Sequence, residues 1–500
     1  MYTHALLLLL AAPLVALAAD ATTPPARIAA EQVPAPGSWS CVTANGANAR
    51  KQQVEQGMLP NVVFTGETKP SDVASRMRAH RSPALSVAVI HHGKLDWTAA
   101  WGSLSTEGAP AGCDTLFQAG SLAKPMTLLA VLRMQEHGLL DLDRPIERYL
   151  TSYVLPAGKQ SAEHPVTLRN LLSHTAGITP GGYAGYPVAD VMPGIQQIAR
   201  GEAPVNSPKI EVLGVPDSAL RYSGGGYSVV QIALQDQLHG PFEQIMRQWI
   251  IRPLGMREAN FSQPLAARDR SRAAHGYNID GSAVEGGWHN YPERAAAGLW
   301  ATPSDLALVL IEMRRACQGK SDALAKAAIE ELLANPVDGN SYGFRRIVAG
   351  DQPFITHYGG TAGYNAGMTL NLATGDGAVY MTNSENIQLG PEFLAAVARV
   401  YDWPTFREET VTRVEQPADV LASFAGDYVF PEQGWKVSAV FESGALTLVF
   451  PNADRYALTP IAGGAHDFIH AASGVRASFE RSGDALQIHL YGQTGRRTQP

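Results

Sequence analysis

The chain has 500 residues, 45% of them hydrophobic and 17% charged, so it can bury a large core and is long enough for more than one domain. Its formal net charge of -7 is mild, and no run of Lys and Arg marks a surface for nucleic acid or anionic lipid. Polyanion binding is therefore set aside, and neither a G-x-G-x-x-G nor a Walker sequence offers a nucleotide cradle, so no cofactor is expected.

Residues 1–18 hold an apolar stretch of roughly 15 residues ending in Ala16-Leu17-Ala18, the small-x-small pattern of a cleavable export signal. A membrane span needs about 20 apolar residues, and Pro13 interrupts this one. An uncleaved anchor is the alternative, because no Lys or Arg precedes the apolar run. The expectation is cleavage near Ala18, no stable membrane span, and a periplasmic or secreted chain in a compartment where disulfides form. Cys41, Cys113 and Cys317 are an odd set, so at most one bridge forms within the chain. A Cys41–Cys113 pair and three buried thiols both stay open. Residues 19–55, rich in Ala, Pro, Gly and Asn, read as an irregular leader.

The folded core is expected to begin after this leader. PALSVAVIHHGKLDWTAAWG (83–102) alternates about a His-Gly-Lys turn and reads as a hairpin. Helical periodicity follows at 121–138, 167–174, 226–239, 242–251 and 302–316. The last of these has Thr302 or Ser304 as N-cap, Pro303 in its first turn and Asp305 facing the positive end. Strand patterns return at 342–350, 353–358, 364–372 and 377–383. The arrangement that follows is an α+β domain: an antiparallel sheet completed by both ends of the domain, flanked by helices, with an all-helical region. Residues 404–417, charged and carrying Pro404 and Pro417, read as a linker. Beyond it, 435–450 and 475–492 repeat a hairpin design around Ser-Gly turns, which predicts a small all-β barrel over 418–500. No repeat of about 20 to 50 residues signals a solenoid.

The chemistry concentrates at GSLAKPMTLLAVLRMQEHGLLDLD (120–143). Residues three apart on a helix share a face, so Ser121 and Lys124 point the same way at a helix mouth, where free N–H groups favour developing negative charge. A serine hydroxyl is a weak nucleophile until a base takes its proton, and a lysine amine is such a base once burial or a nearby cation leaves it neutral. An N-cap serine beside a solvated lysine would look the same in isolation. No other lysine here has a serine three residues before it, however, and this one opens a helix directly after an apolar run. LRYSGGGYSVVQIALQDQL (220–238) places Tyr222 on a Gly-rich loop at a second helix mouth. FITHYGGTAGYNAGM (354–368) places His357-Tyr358-Gly359-Gly360 at a strand end, where glycines let backbone approach a ligand.

Together with VTLRNLLSHTAGI, RPLGMREANFS and AAAGLWATPSDLA, these segments resemble the β-lactamase-related, penicillin-recognising serine hydrolases over roughly residues 56–403. That group includes class C β-lactamases, esterases on the same fold, D-aminopeptidases and DD-carboxypeptidases. The trailing β domain is similar to the lipocalin-like module that often follows such hydrolases. The resemblance implies Ser121 as nucleophile, Lys124 as its proton acceptor and Tyr222, from a Tyr-x-Asn motif, as a proton shuttle. It also implies an oxyanion hole from the N–H groups of Ser121 and Gly360, and a binding strand beginning at His357. Two positions depart from the pattern: Gly224 stands where an Asn is expected, and His357-Tyr358 where β-lactam-binding members have Lys and Thr or Ser. Histidine is mostly neutral near pH 7, unlike lysine, so the grip on a substrate carboxylate weakens.

The expected function is thus an exported serine hydrolase acting through an acyl-enzyme on a small-molecule ester, amide or peptide. A carboxylic ester or small amide comes first, and a D-aminopeptidase, DD-carboxypeptidase or weak β-lactamase second. A non-catalytic penicillin or peptide sensor is the reading from a different class. Gly339-Asn340-Ser341-Tyr342-Gly343 matches the G-x-S-x-G elbow but lacks the strand–turn–helix context that elbow requires. His91-His92 reads as a solvated pair in a turn, His174 and His289 fit no metal-ligand spacing, and Glu293 reads as a structural carboxylate near the pocket.

Overall fold

The structure is a computed structural model and describes residues 40–334, 340–431, 434–451, 454–482 and 485–498. The expected signal segment, and the leader up to residue 39, lie outside the described residues.

A seven-stranded antiparallel sheet organises the catalytic part. Its strands are β1 (Ala84–His91), β2 (Lys94–Gly102), β3 (Asn340–Ser341), β4 (Phe344–Ala349), β5 (Gln352–Thr361), β6 (Tyr364–Asn371) and β7 (Gly377–Thr382), in the order β2-β1-β7-β6-β5-β4-β3. Early and late segments therefore share one sheet, as the sequence predicts. Side chains alternate across a strand, and β1 shows what lies on each side. Ala84, Ala88 and Ile90 enter the larger core, whereas Leu85, Val87 and Val89 enter a second core on the other face.

Helix α1 (Ala123–Glu136) is buried from Ala123 through Met134, so its apolar residues occur on every side rather than along one stripe, and Lys124, Thr127 and Arg133 are buried with them. Helix α2 (Leu168–Leu172) is capped by Thr167, whose hydroxyl accepts from the Asn170 N–H. Helix α3 (Gly224–Leu238) starts two residues earlier than its periodicity suggests. Ser223 caps it, so three consecutive glycines form a first turn instead of a loop. Helix α4 (Pro303–Cys317) begins as expected, with the Thr302 hydroxyl accepting from the Asp305 N–H.

The far face of the sheet is covered by α5 (Leu389–Val400), which the sequence reading missed although Leu389, Phe393, Leu394 and Val397 recur at helical spacing. The stretch expected as irregular leader carries a helix at Asn48–Gln56, held because Val54 packs into the same core as Phe393. Cys41 and Cys113 form a disulfide, and Cys317 is a free thiol. No helix of the described residues is long and apolar enough to cross a membrane.

At the C-terminal end, eight antiparallel strands from β8 (Gly426–Phe430) to β15 (Gln493–Arg497) close into a barrel. Its interior is packed with Tyr428, Phe430, Leu448, Phe468, Phe479 and Ile488. The expected linker is not structureless: Glu409–Val411 pairs in parallel with Val62–Phe64. That pairing, an Arg476–Glu409 ion pair, and apolar contacts of Val62 and Phe64 with Ile461 and Ile469 dock the barrel onto the catalytic part.

Candidate active site

The site forms where the mouth of α1 meets the edge of β5. After the short strand Phe117–Gln118, Gly120 turns the chain with φ +52° into one 3-10 turn, Gly120–Leu122, that leads into α1. A side chain at Gly120 would stand 2.8 Å from the Gly360 nitrogen, and one at Gly359 would stand 2.1 Å from the Ala119 carbonyl oxygen and 3.0 Å from the Ser121 nitrogen. The contacts with the Gly360 nitrogen and the Ala119 oxygen are shorter than real Cβ atoms tolerate, and the one with the Ser121 nitrogen is at that limit. The two glycines thus bring the Ser121 and Gly360 backbones together, which is what a two-donor oxyanion hole requires.

Lys124 is 2% exposed and donates to Ser121 Oγ at 3.1 Å and to the Ala296 carbonyl at 2.9 Å. Among the described residues no carboxylate pairs with it. Its Nζ lies 4.9 Å from the centre of the Tyr222 ring and 5.8 Å from that of Tyr227. Tyr222 is 43% exposed, and its hydroxyl has no hydrogen-bond partner among the described residues. Catalytic hydrogen bonds often tighten only when substrate binds. The serine, the lysine and the phenol expected from distant segments therefore do converge.

His357 is buried on β5 facing the same centre. Burial first, and the Lys124 charge second, push its imidazole down to about 3, against the opposing pull of the Gly343 and Ser121 backbone. It is a neutral ring at neutral pH, not a stand-in for a lysine cation. Tyr358, one residue on, leaves the strand on the opposite face, toward Tyr380. This sequence-derived site residue therefore does not face Ser121. The missing amide at Gly224 also has a steric cause: a Cβ there would lie 3.0 Å from the Tyr183 ring and 3.2 Å from the Gly181 carbonyl oxygen. Tyr183 occupies that space and is tied to Ser228 Oγ at 2.9 Å.

Glu293 is fully buried, with no hydrogen-bond partner for either carboxylate oxygen among the described residues, and burial raises it to about 7. It sits just before the turn whose Ala296 carbonyl holds Lys124, inside the wall rather than on its surface. The His91-His92 pair is not simply solvated, because His91 Nδ1 meets Asp376 Oδ1 at 2.8 Å and the two rings stack. These three side chains each offer a ligand atom within 4.8 Å of the others, but at the other end of the sheet from Gly360, where Ile90 pairs with Gly377. His289 belongs to no such cluster among the described residues; its Nδ1 meets the Ala184 carbonyl. Ser341 lies on edge strand β3, with a turn and then strand β4 after it, so the G-x-S-x-G match has no helix behind its serine.

A serine and a buried lysine one turn apart, facing a glycine strand on a helix-flanked antiparallel sheet, make up the machinery of a serine hydrolase. Comparison with known proteins agrees. Residues 71–399 match the family model named Beta-lactamase, and the chain belongs to that family. It is 30% identical over 194 residues to esterase EstB of Burkholderia gladioli, spanning 37% of this chain and 48% of the esterase. It is 23% identical over 420 residues to penicillin-binding protein 4* of Bacillus subtilis (strain 168), spanning 78% of this chain and 88% of that protein. Among solved structures, the octameric penicillin-binding protein homologue from Pyrococcus abyssi superposes with a TM-score of 0.59 at 19% identity, covering 85% of this chain and 98% of that one. The D-amino acid amidase of Ochrobactrum anthropi SV3 does so at 0.57 and 20%, covering 71% and 99%. At those identities the structural likeness establishes the fold.

Proposed function

We propose that the protein is an exported hydrolase whose Ser121 forms an acyl-enzyme with carboxylic esters or small neutral amides. The observation that carries this reading is the Lys124 amine, buried with no carboxylate partner among the described residues and 3.1 Å from Ser121 Oγ. In its neutral form the Lys124 amine takes the hydroxyl proton as Oγ attacks the carbonyl carbon, and the N–H groups of Ser121 and Gly360 receive the oxyanion. Tyr222, over the lysine, passes the proton to the departing alcohol or amine. Water then attacks the acyl carbon and frees Ser121.

Two features favour neutral substrates: the uncharged His357 in place of a fixed cation, and the Tyr183 ring in place of an amide. The esterase relative supports the same preference. Turnover of D-amino-acid peptides or β-lactams is the lesser reading. A sensor that binds without turnover is favoured only by the unpartnered Tyr222 hydroxyl. Export is supported by residues 1–18 and by the Cys41–Cys113 bridge, which needs an oxidising compartment.

The test is a panel of p-nitrophenyl butyrate, nitrocefin and D-alanine p-nitroanilide against wild type and Ser121→Ala. Ester turnover that vanishes in the variant supports the assignment. Equal turnover by both proteins refutes the role of Ser121, and nitrocefin turnover exceeding that of the ester refutes the substrate preference.

A further inference from the structure

His174 follows the short helix α2, on whose Leu171 carbonyl its own N–H closes, and lies outside the machinery described so far, yet its carbonyl and its ring both bond to the loop that carries Tyr222. Its backbone carbonyl accepts the Arg221 N–H at 2.8 Å, and its Nδ1 accepts the Ser223 N–H at 3.1 Å. The residues on both sides of Tyr222 are therefore tied to this one histidine. The imidazole also packs on the phenol ring itself, with centroids 4.4 Å apart and a tilt of 35°. His174 adopts φ +63°, a conformation that a non-glycine residue takes at some cost and keeps only where the surroundings hold it there.

We infer that His174 is the positioning residue for Tyr222, holding the phenol over Lys124 through its Nδ1 acceptor and its ring face. The inference rests on the proposed acyl-enzyme chemistry, since it assigns a residue acting through Tyr222. Because Nδ1 accepts a hydrogen bond, the neutral ring carries its proton on Nε2, which is buried and has no partner among the described residues. A second proton would go on Nδ1 and set it against the Ser223 N–H. Burial first, and the Lys124 charge second, hold the imidazole well below its ordinary range, so this conflict does not arise near neutral pH.

A positioned proton-transfer group contributes about 10² to 10⁴ in rate, and a residue that only positions it loses its effect once that group is gone. The test is p-nitrophenyl butyrate kinetics on His174→Phe, Tyr222→Phe and the double variant, with thermal melts of each. The expected result is that His174→Phe lowers kcat on the order of 10²-fold with KM changed less than about threefold. In the Tyr222→Phe background the same substitution costs less than about threefold. Equal losses in the two backgrounds, or an unchanged kcat in His174→Phe, overturn the inference.

Should His174→Phe fail to fold, His174→Asn and His174→Gln decide the matter. Asn can present an acceptor where Nδ1 stood, whereas Gln places its amide nearer the Nε2 position. The inference requires the Asn variant to keep at least about tenfold more kcat than the Gln variant; equal values overturn it. Ser121→Ala, run alongside, separates the two levels. If it retains activity, the acyl-enzyme reading fails; if it is inactive while the His174 and Tyr222 effects add, only the positioning role fails.

Discussion

Gly359→Ala tests whether the oxyanion site depends on close approach of β5 to the mouth of α1. The new methyl would lie 2.1 Å from the Ala119 carbonyl oxygen and 3.0 Å from the Ser121 nitrogen, both backbone atoms that cannot swing aside. Ordinary C···O contacts are about 3.3 to 3.6 Å, so strand and helix must part by more than about 1 Å. A donor that works at about 2.7 to 3.1 Å is lost by such a shift, and losing one donor costs about 10² to 10³ in kcat, or about 3 to 4 kcal/mol. The assay is kcat for p-nitrophenyl butyrate well below the melting temperature, with Gly240→Ala as control because its nearest foreign atom is 3.7 Å away. The control should match wild type. A folded Gly359→Ala protein with kcat within about threefold of wild type refutes the reasoning.

Stability should respond to pH at two buried groups with opposite sign. His357 is neutral in the fold down to about 3, while the unfolded chain takes up the proton below about 6.5. Wild type should therefore lose about 2 kcal/mol between pH 6.5 and 5 from this group, and His357→Gln should remove that part of the slope in urea titrations. Glu293 is protonated in the fold up to about 7, so its contribution is full below about 4.5 and falls away by on the order of 3 kcal/mol as the pH rises to 7 and above. Glu293→Gln should flatten that limb, and an unchanged slope contradicts the burial argument. The disulfide spans 72 residues, and closing such a loop restricts the unfolded chain by about 4 kcal/mol on a chain-entropy basis. Cys41→Ser with Cys113→Ser should lower the denaturation midpoint accordingly while sparing kcat, because the bridge lies outside the catalytic cluster.

Much of this frame was legible in the chain because local rules governed it. The β1–β2 hairpin, the capped start of α4 at Thr302 and the Ser121–Lys124 pair each follow from spacing over a few residues. What escaped depends on partners far away in sequence. Nothing near Gly224 shows that Tyr183 fills its missing side chain, and nothing near His174 shows that its Nδ1 holds Ser223, 49 residues later. The sequence makes Tyr358 part of a binding strand, but only the register of β5 on β6 settles which face each residue takes. Helix α5 was missed despite a usable period. The helix at Asn48–Gln56 gives less signal, because it carries a single buried apolar residue, Val54.

The central claim is that Ser121 becomes covalently acylated, and intact-protein mass spectrometry of the enzyme quenched in acid during p-nitrophenyl butyrate turnover measures that directly. A mass gain of one butyryl group mapping to the peptide that contains Ser121, and absent from Ser121→Ala, is the predicted result. Hydrolysis with no adduct in wild type, or an adduct of equal yield in the alanine variant, contradicts it.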